Sequence, residues 1–321
     1  MTFRTARFAR LAVLALLGAC APSASMRLTN ALLRVIPTLP RDPAVLERRL
    51  VGRDTPKVPR FPKEFQSRYQ IAEQTVLGHR VIRLTPKKSA SKNIIVYTHG
   101  GAYVYELVRF HWNIIDALIR STGATVIVPI YPLAPEHPYP ETYALLDLVY
   151  RDLLKEVPAE NIVFCGDSAG GGLALGQAIA LRDQGLPLPG RLVLFSPWLD
   201  LTLSNPEIPA IDPADAMLNA GALRHLGAWW AAGTDPRAPR LSPIFADLKG
   251  LPNIDVYQGT ADLLLPDARV LRDRVRDAGG QIELHETRGG FHVFMGATYT
   301  PEARRVYAQV AEGLGVKVGK N

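Results

Sequence analysis

The apolar run Asn161-Ile162-Val163-Phe164-Cys165 enters the pentapeptide Gly166-Asp167-Ser168-Ala169-Gly170 and leaves it into the small-residue stretch Gly171-Gly172-Leu173-Ala174-Leu175-Gly176-Gln177-Ala178. A strand, a sharp turn and a helix in that order lift one serine hydroxyl out of a sheet and onto the start of a helix. The turn strains the backbone at the serine and brings the helix close to the strand, so its neighbours must be small. Gly166 and Gly170 meet that demand. A glycine-x-serine-x-glycine pattern arises by chance in about one chain of this length in ten, so its weight depends on what surrounds it.

What surrounds it is a regular alternation. Candidate strands lie at Ile94 to Thr98, Ala124 to Val128, Ile162 to Cys165, Leu192 to Phe195, Ile254 to Tyr257 and Ile282 to His285. Helical periods occupy residues near 109–121, 141–156, 169–184, 266–278 and 301–314. Strand and helix alternating in this way predict an α/β fold with a mostly parallel central sheet flanked by helices. Residues 201–250 break the rhythm with scattered prolines, no convincing strand, and a helical patch around Leu223 to Ala232 that carries Trp229 and Trp230. This insertion is expected to act as a lid or pocket wall, since ligands of open α/β sheets bind at the carboxyl ends of strands, where it begins. Residues 20–74, with amphipathic stretches and repeated prolines from Pro37 to Pro62, read as an N-terminal arm, and residues 75–321 as the main domain.

The formal charge of +7 includes Arg4, Arg7 and Arg10, and without those three arginines it is +4. So mild and scattered a balance argues against nucleic acid as a partner. The same arginines precede the apolar run Leu11 to Leu17, followed by small residues, which is the order of a secretory signal peptide over residues 1–19. Leu17-Gly18-Ala19-Cys20 resembles a bacterial lipobox, which predicts lipidation of Cys20 and membrane attachment in the cell envelope; periplasmic or secreted release and an uncleaved anchor are the alternatives. The other cysteine, Cys165, reads as a buried small apolar residue. No His-Glu-x-x-His pair, cysteine cluster or dinucleotide glycine pattern is present, so neither a metal nor another cofactor is expected.

Acyl transfer by a serine needs a base to take its proton, an acid to orient that base, and donors for the oxyanion. Asp262, in Gly259-Thr260-Ala261-Asp262 after a strand, is the preferred acid; Asp267, placed to begin a helix, and Asp200, ahead of the insertion, are alternatives. Of the 7 histidines only His285 and His292 follow that acid. His285 falls inside a strand, whereas His292 follows Gly289-Gly290 on a loop and is the expected base. For the oxyanion, His99-Gly100-Gly101-Ala102-Tyr103 follows the first candidate strand, and its Gly100 and Gly101 amides with that of Ala169 are the expected donors. His99 is expected to hold the loop.

His99 to Tyr103, Tyr131-Pro132-Leu133-Ala134-Pro135-Glu136-His137-Pro138-Tyr139-Pro140, Gly166 to Gly171, Ser196-Pro197-Trp198-Leu199-Asp200-Leu201-Thr202, Asp262 with Asp267, and Phe291-His292-Val293-Phe294 together resemble the bacterial esterase branch of the hormone-sensitive-lipase group of α/β-hydrolases. The resemblance spans roughly residues 75–314. It implies an α/β-hydrolase fold with a helical cap formed by the arm and the insertion, and a serine carboxylester hydrolase acting on short- to medium-chain acyl esters through Ser168, His292 and Asp262 and an acyl-enzyme intermediate. Ala102 replaces the third glycine often found in the group's oxyanion block, and Pro132 stands where the group commonly has arginine. An amidase on the same machinery and a ligand-binding protein without turnover are the rival readings.

Overall fold

Alternate residues of each apolar run go to opposite faces of one sheet, and both faces are covered, which is why the runs show no polar alternation. A computed structural model describes residues 21–35, 39–40, 42–50, 61–88 and 90–316. The expected leader and Cys20 lie outside the described residues. Three short helices, α1 (Ala24–Val35), α2 (Pro43–Leu50) and α3 (Lys63–Arg68), lead into the sheet. Then follow β1 (Tyr69–Val76), β2 (His79–Pro86), β3 (Ile94–Thr98), α4 (Arg109–Thr122), β4 (Thr125–Pro129), α5 (Tyr139–Glu156), β5 (Ile162–Asp167), α6 (Ala169–Asp183) and β6 (Arg191–Phe195). The insertion contributes α7 (Ile208–Ile211) and α8 (Ala220–Ala231), and β7 (Asn253–Gly259), α9 (Leu265–Asp277), β8 (Ile282–Thr287) and α10 (Pro301–Gly313) complete the order.

The eight strands run β1-β2-β4-β3-β5-β6-β7-β8 across the sheet, antiparallel at β1/β2 and β2/β4 and parallel from β4 to β8. On one face Ile94, Val96, Ile162, Phe164, Leu192 and Leu194 pack with α5, α6 and α9. On the other, Ile95, Tyr97, Val163, Cys165, Val193 and Phe195 pack with α4 and α10. Cys165 is buried there, and burial pushes its thiol well above the ordinary value. That makes it a packing residue rather than a reactive one.

The six expected strands and five expected helices all form, with ends within a few residues of the sequence reading. The β1–β2 hairpin was not anticipated, and the sheet therefore starts at Tyr69, ahead of the first expected strand at Ile94. Of β1 only Tyr69 is buried, so this edge strand lacks the apolar alternation that marks a half-buried one. Its turn is nevertheless written locally: Leu77 and Gly78 both hold positive φ, 49° and 83°, as a two-residue hairpin turn requires.

Parallel strands β3, β5, β7 and β8 all end at the same edge of the sheet, and the Gly100 loop, the Ser168 turn, Asp262 and His292 follow those four ends. That edge is where an α/β sheet gathers its ligand-binding loops.

Candidate functional site

Ser168 sits at φ 53° and ψ −122° between the end of β5 and the start of α6. Its conformation is over-determined by main-chain bonds: its N–H donates to Phe195 O at 2.9 Å and its carbonyl accepts from Trp198 N at 2.9 Å. A Cβ on Gly170 would run into the Thr98 carbonyl, and one on Gly166 into the carbonyl of Gly170. The obstacles are backbone and cannot swing aside. Gly170→Ala is therefore expected to destabilise the fold by about 3 kcal/mol, lowering the thermal unfolding midpoint by roughly 5–10 °C; an unchanged midpoint would refute this account of the turn.

Loops from β7 and β8 are laced together: Thr260 N donates to Thr287 O at 3.0 Å, Ala261 N to Gly290 O at 2.9 Å, and Gly289 N to Thr260 Oγ1 at 2.8 Å. This lacing sets Asp262 beside His292. Asp262 Oδ2 lies 2.9 Å from His292 Nδ1, and His292 Nε2 lies 2.9 Å from Ser168 Oγ. A carboxylate can only accept, so Nδ1 carries the proton and Nε2 presents its lone pair to the serine hydroxyl. All three side chains are buried, Asp262 completely. Its other oxygen accepts from Leu264 N at 2.9 Å, which fixes the carboxylate plane.

The alternative residues are engaged elsewhere. Asp200 accepts from the N–H and hydroxyl groups of both Thr202 and Ser204 at 2.6–2.8 Å, shaping the start of the insertion. Asp267 lies buried in the first turn of α9, where burial lifts its carboxyl to about 7. His285 stacks on Tyr257 at 4.6 Å. His99 is buried and stacks on Tyr131 at 4.3 Å, its Nδ1 donating to Gly100 O at 2.6 Å. Burial, helped by the neighbouring His111, holds its ring near 3, so it stays neutral and anchors the loop. Pro132, the departure from the arginine common in the resembling group, offers its carbonyl to the Thr142 hydroxyl at 3.1 Å.

Gly100 corrects the sequence reading. Its N–H donates to Asp167 Oδ1 at 3.0 Å and is thereby committed within the protein. Among the described residues, the N–H groups of Gly101, Ala102 and Ala169 have no acceptor, and Gly101 and Ala102 border the same cavity as Ser168. Gly101 holds φ 114°, and its carbonyl accepts from Val104 N and Tyr105 N at 3.0 and 2.8 Å, curling the loop around this point. Ala102 follows at φ 51°, a left-handed conformation that costs an alanine roughly 1–2 kcal/mol. Tyr103 stacks on Trp230 of α8 at 4.3 Å and on Trp198 at 5.6 Å, which ties the loop to the insertion.

Two carboxylates that the pattern left unassigned complete the site. Asp167 accepts from Gly100 N and the Tyr97 hydroxyl, and its Oδ2 lies 3.6 Å from His111 Nε2. Burial alone would raise its pKa, yet His111, Tyr97 and His99 hold it below the usual carboxylate value. Asp215, in the insertion, accepts from Met217 N and Leu218 N at 2.8 and 2.9 Å with one oxygen, and from Leu263 N at 2.8 Å with the other. Leu263 directly follows Asp262, so Asp215 pins the insertion to the acid loop. Burial and the nearby Asp262 charge raise Asp215 to about 6. For His292, burial works against the imidazolium, but the Asp262 charge and hydrogen bond, followed by Asp215 and Asp167, lift its pKa above the ordinary histidine value.

Ser168 and His292 open into a cavity of about 620 Å³. Its walls are mainly apolar: Leu33 and Leu39 come from the N-terminal arm, Met217, Leu218 and Leu223 from the insertion, and Phe291 and Val293 from the His292 loop. The Ser168 hydroxyl, the His292 imidazole, the Asp262 carboxylate and the open amides of Gly101 and Ala102 thus meet beside a largely apolar space.

Comparison with known proteins points the same way. A family model described as alpha/beta hydrolase fold matches residues 95–296. An acetyl-hydrolase of Streptomyces hygroscopicus is 35% identical over 249 residues, covering 75% of this chain and 83% of that protein. An esterase of Acinetobacter venetianus is 34% identical over 246 residues, covering 76% and 81%. Among solved structures, an esterase from the bacterial hormone-sensitive lipase family superposes with a TM-score of 0.77 at 29% identity, covering 92% of this chain and 98% of that one.

Proposed function

The chain belongs to the α/β-hydrolase family, in its hormone-sensitive-lipase-like group, and is a carboxylic ester hydrolase; from that premise we propose that it cleaves uncharged esters of short to medium acyl chain through an acyl-enzyme formed on Ser168. The observation that carries this reading is the unbroken hydrogen-bond path from Asp262 through His292 to Ser168, ending in an apolar cavity.

In this mechanism Ser168 Oγ attacks the ester carbonyl while His292 Nε2 takes its proton. His292 then returns the proton to the leaving alcohol, and Asp262 holds the tautomer and stabilises the imidazolium. The oxyanion is received by the open amides of Gly101, Ala102 and Ala169, the last at the start of α6, where the helix dipole favours negative charge. Each such donor is worth a few kcal/mol in the transition state. Water attacks the acyl-enzyme with His292 again as base, and the acid product leaves. The arm and residues 201–250 act as the cap that shields this chemistry and sets the acyl length.

Each methylene moved from water into the cavity is worth up to about 0.8 kcal/mol, so kcat/KM on p-nitrophenyl esters should climb from acetate until the cavity is filled and then fall. A burst of one equivalent of p-nitrophenol, and a stable adduct of an alkyl phosphonate on the Ser168 peptide by mass spectrometry, are the expected signs of the acyl-enzyme. Turnover of anilides with no turnover of matched esters would replace this reading with an amide hydrolase, and a phosphonate adduct on any other residue would remove Ser168 from its role.

A further inference from the structure

Among the described residues, three of the large apolar side chains left in solvent belong to helix α1. Leu28, Leu32 and Val35 are 62%, 52% and 75% exposed, and their spacing of four and three residues puts them on one stripe of α1. Ala24 and Ala31 extend the stripe, and exposed Arg27 and Arg34, which donate to Pro22 O and Ala214 O, border it on one side. Tyr299 and Val108, also among the exposed apolar residues, stand at the rim of the cavity that holds Ser168. Helix α1 links the two groups, because Thr29 and Leu33 on its adjoining side line that cavity and the Thr29 hydroxyl meets the Tyr299 hydroxyl at 2.7 Å.

The stripe is held rigidly with respect to the site. Ser23 donates through its N–H and hydroxyl to the Glu302 carboxylate at 2.7 and 2.9 Å. Asn30 donates to Gly289 O at 2.8 Å, in the loop that carries His292. Met26, on the opposite face of α1, is completely buried. A helix anchored on one face and apolar on the other is one whose outer face has an apolar neighbour to meet.

We propose that the outer face of α1, with Tyr299 and Val108, docks on a lipid bilayer and sets the mouth of the Ser168 cavity against it, so that esters enter from the membrane. Three features favour a bilayer over other occupants. The stripe is bordered along one edge by Arg27 and Arg34, a basic margin that suits a helix lying in a lipid headgroup layer. The patch continues into a cavity whose own walls are hydrocarbon. Cys20, which the lipobox reading would have acylated, precedes Ala24 by four residues, a reach of at most about 14 Å; an acyl chain there would add to an affinity the stripe already has of its own. No described helix is long and apolar enough to cross a membrane.

The test uses the chain that begins at position 20, the form cleavage before Cys20 would leave, with Cys20→Ser so that no acyl chain contributes. It is floated with vesicles of phosphatidylethanolamine and phosphatidylglycerol. The parent is expected to float, and the triple variant Leu28→Glu, Leu32→Glu, Val35→Glu to partition at least ten-fold less while keeping the parent's near-ultraviolet circular dichroism. Should the triple variant lose that spectrum, Val35→Glu alone, at the most exposed position, is expected to weaken flotation measurably. A parent that stays in the aqueous fraction, or variants that keep the spectrum and float as well as the parent, would overturn the proposal. So would a lipid-independent dimer, seen by sedimentation and abolished by the triple variant, which would make the occupant a second copy of the chain. Flotation does not depend on turnover, so its failure is distinguishable from failure of the esterase reading.

Discussion

Ser168→Ala is expected to lower kcat on p-nitrophenyl esters by about 10⁶-fold, leaving only the residual rate that binding and the oxyanion donors sustain. The size follows from the geometry. Ser168 Oγ is the hydroxyl within hydrogen-bond reach of His292 Nε2, at 2.9 Å, and Gly101 and Ala102 stay in place around the same cavity without it. Substrate binding should therefore be little changed, with the loss falling in kcat. The fold should persist as well. The strained φ of 53° is held by the Ser168 main chain through Phe195 O and Trp198 N, which alanine retains. Steady-state kinetics and thermal unfolding check both halves, and a variant that keeps a tenth of the parent's kcat would end Ser168's candidacy.

What the sequence disclosed about this site, and what it hid, divides along a physical line. The turn was legible because sterics at Gly166 and Gly170 are local, and a strand, a serine and a helix in register leave few alternatives. That Asp262 and His292 would lie beside Ser168 was legible through chain order and loop position. Gly100 was misassigned because the acceptor that claims its N–H is the side chain of Asp167, which the pattern treats as an arbitrary residue. Nothing short of the β3–β5 pairing, which sets Thr98 beside Gly166, brings the two together. Asp215 was invisible for a similar reason: it lies in an insertion without periodicity, and its partner Leu263 N is reached only in three dimensions. Edge strand β1 escaped because exposed strands bury too little to write an alternating pattern. Constraints written in local sequence or in chain order were readable, while the tertiary partners of Gly100 N and of Asp215 were written in neither.

Asp262→Asn should cost about 10⁴-fold in kcat with the fold intact. The Leu264 N–H still finds an acceptor in the amide oxygen, so the loop keeps its anchor. What fails is the tautomer: the amide NH₂ facing His292 Nδ1 would donate, driving the ring proton to Nε2, where it blocks removal of the Ser168 proton. Asp215→Asn provides the contrast that separates this chemistry from simple charge loss. It keeps every atom of the Asp262–His292–Ser168 path, but its amide NH₂ cannot accept, so it gives up either the bond from Leu263 N or those from Met217 N and Leu218 N. It also removes one negative charge that favours the imidazolium. Catalysis requires neutral His292, so the rate rises as pH climbs through its pKa, which Asp262, Asp215 and Asp167 lift against the effect of burial. Without the Asp215 charge that pKa falls, and the acid limb of the kcat/KM profile should move to lower pH with at most a modest loss at the plateau. A profile that does not move, or moves to higher pH, would show that Asp215 exerts no charge on the base and serves only to hold Met217, Leu218 and Leu263. If Asp262→Asn lost no more activity than Asp215→Asn, the two carboxylates would have been assigned the wrong way round, since Asp262 is the one within hydrogen-bond reach of Nδ1.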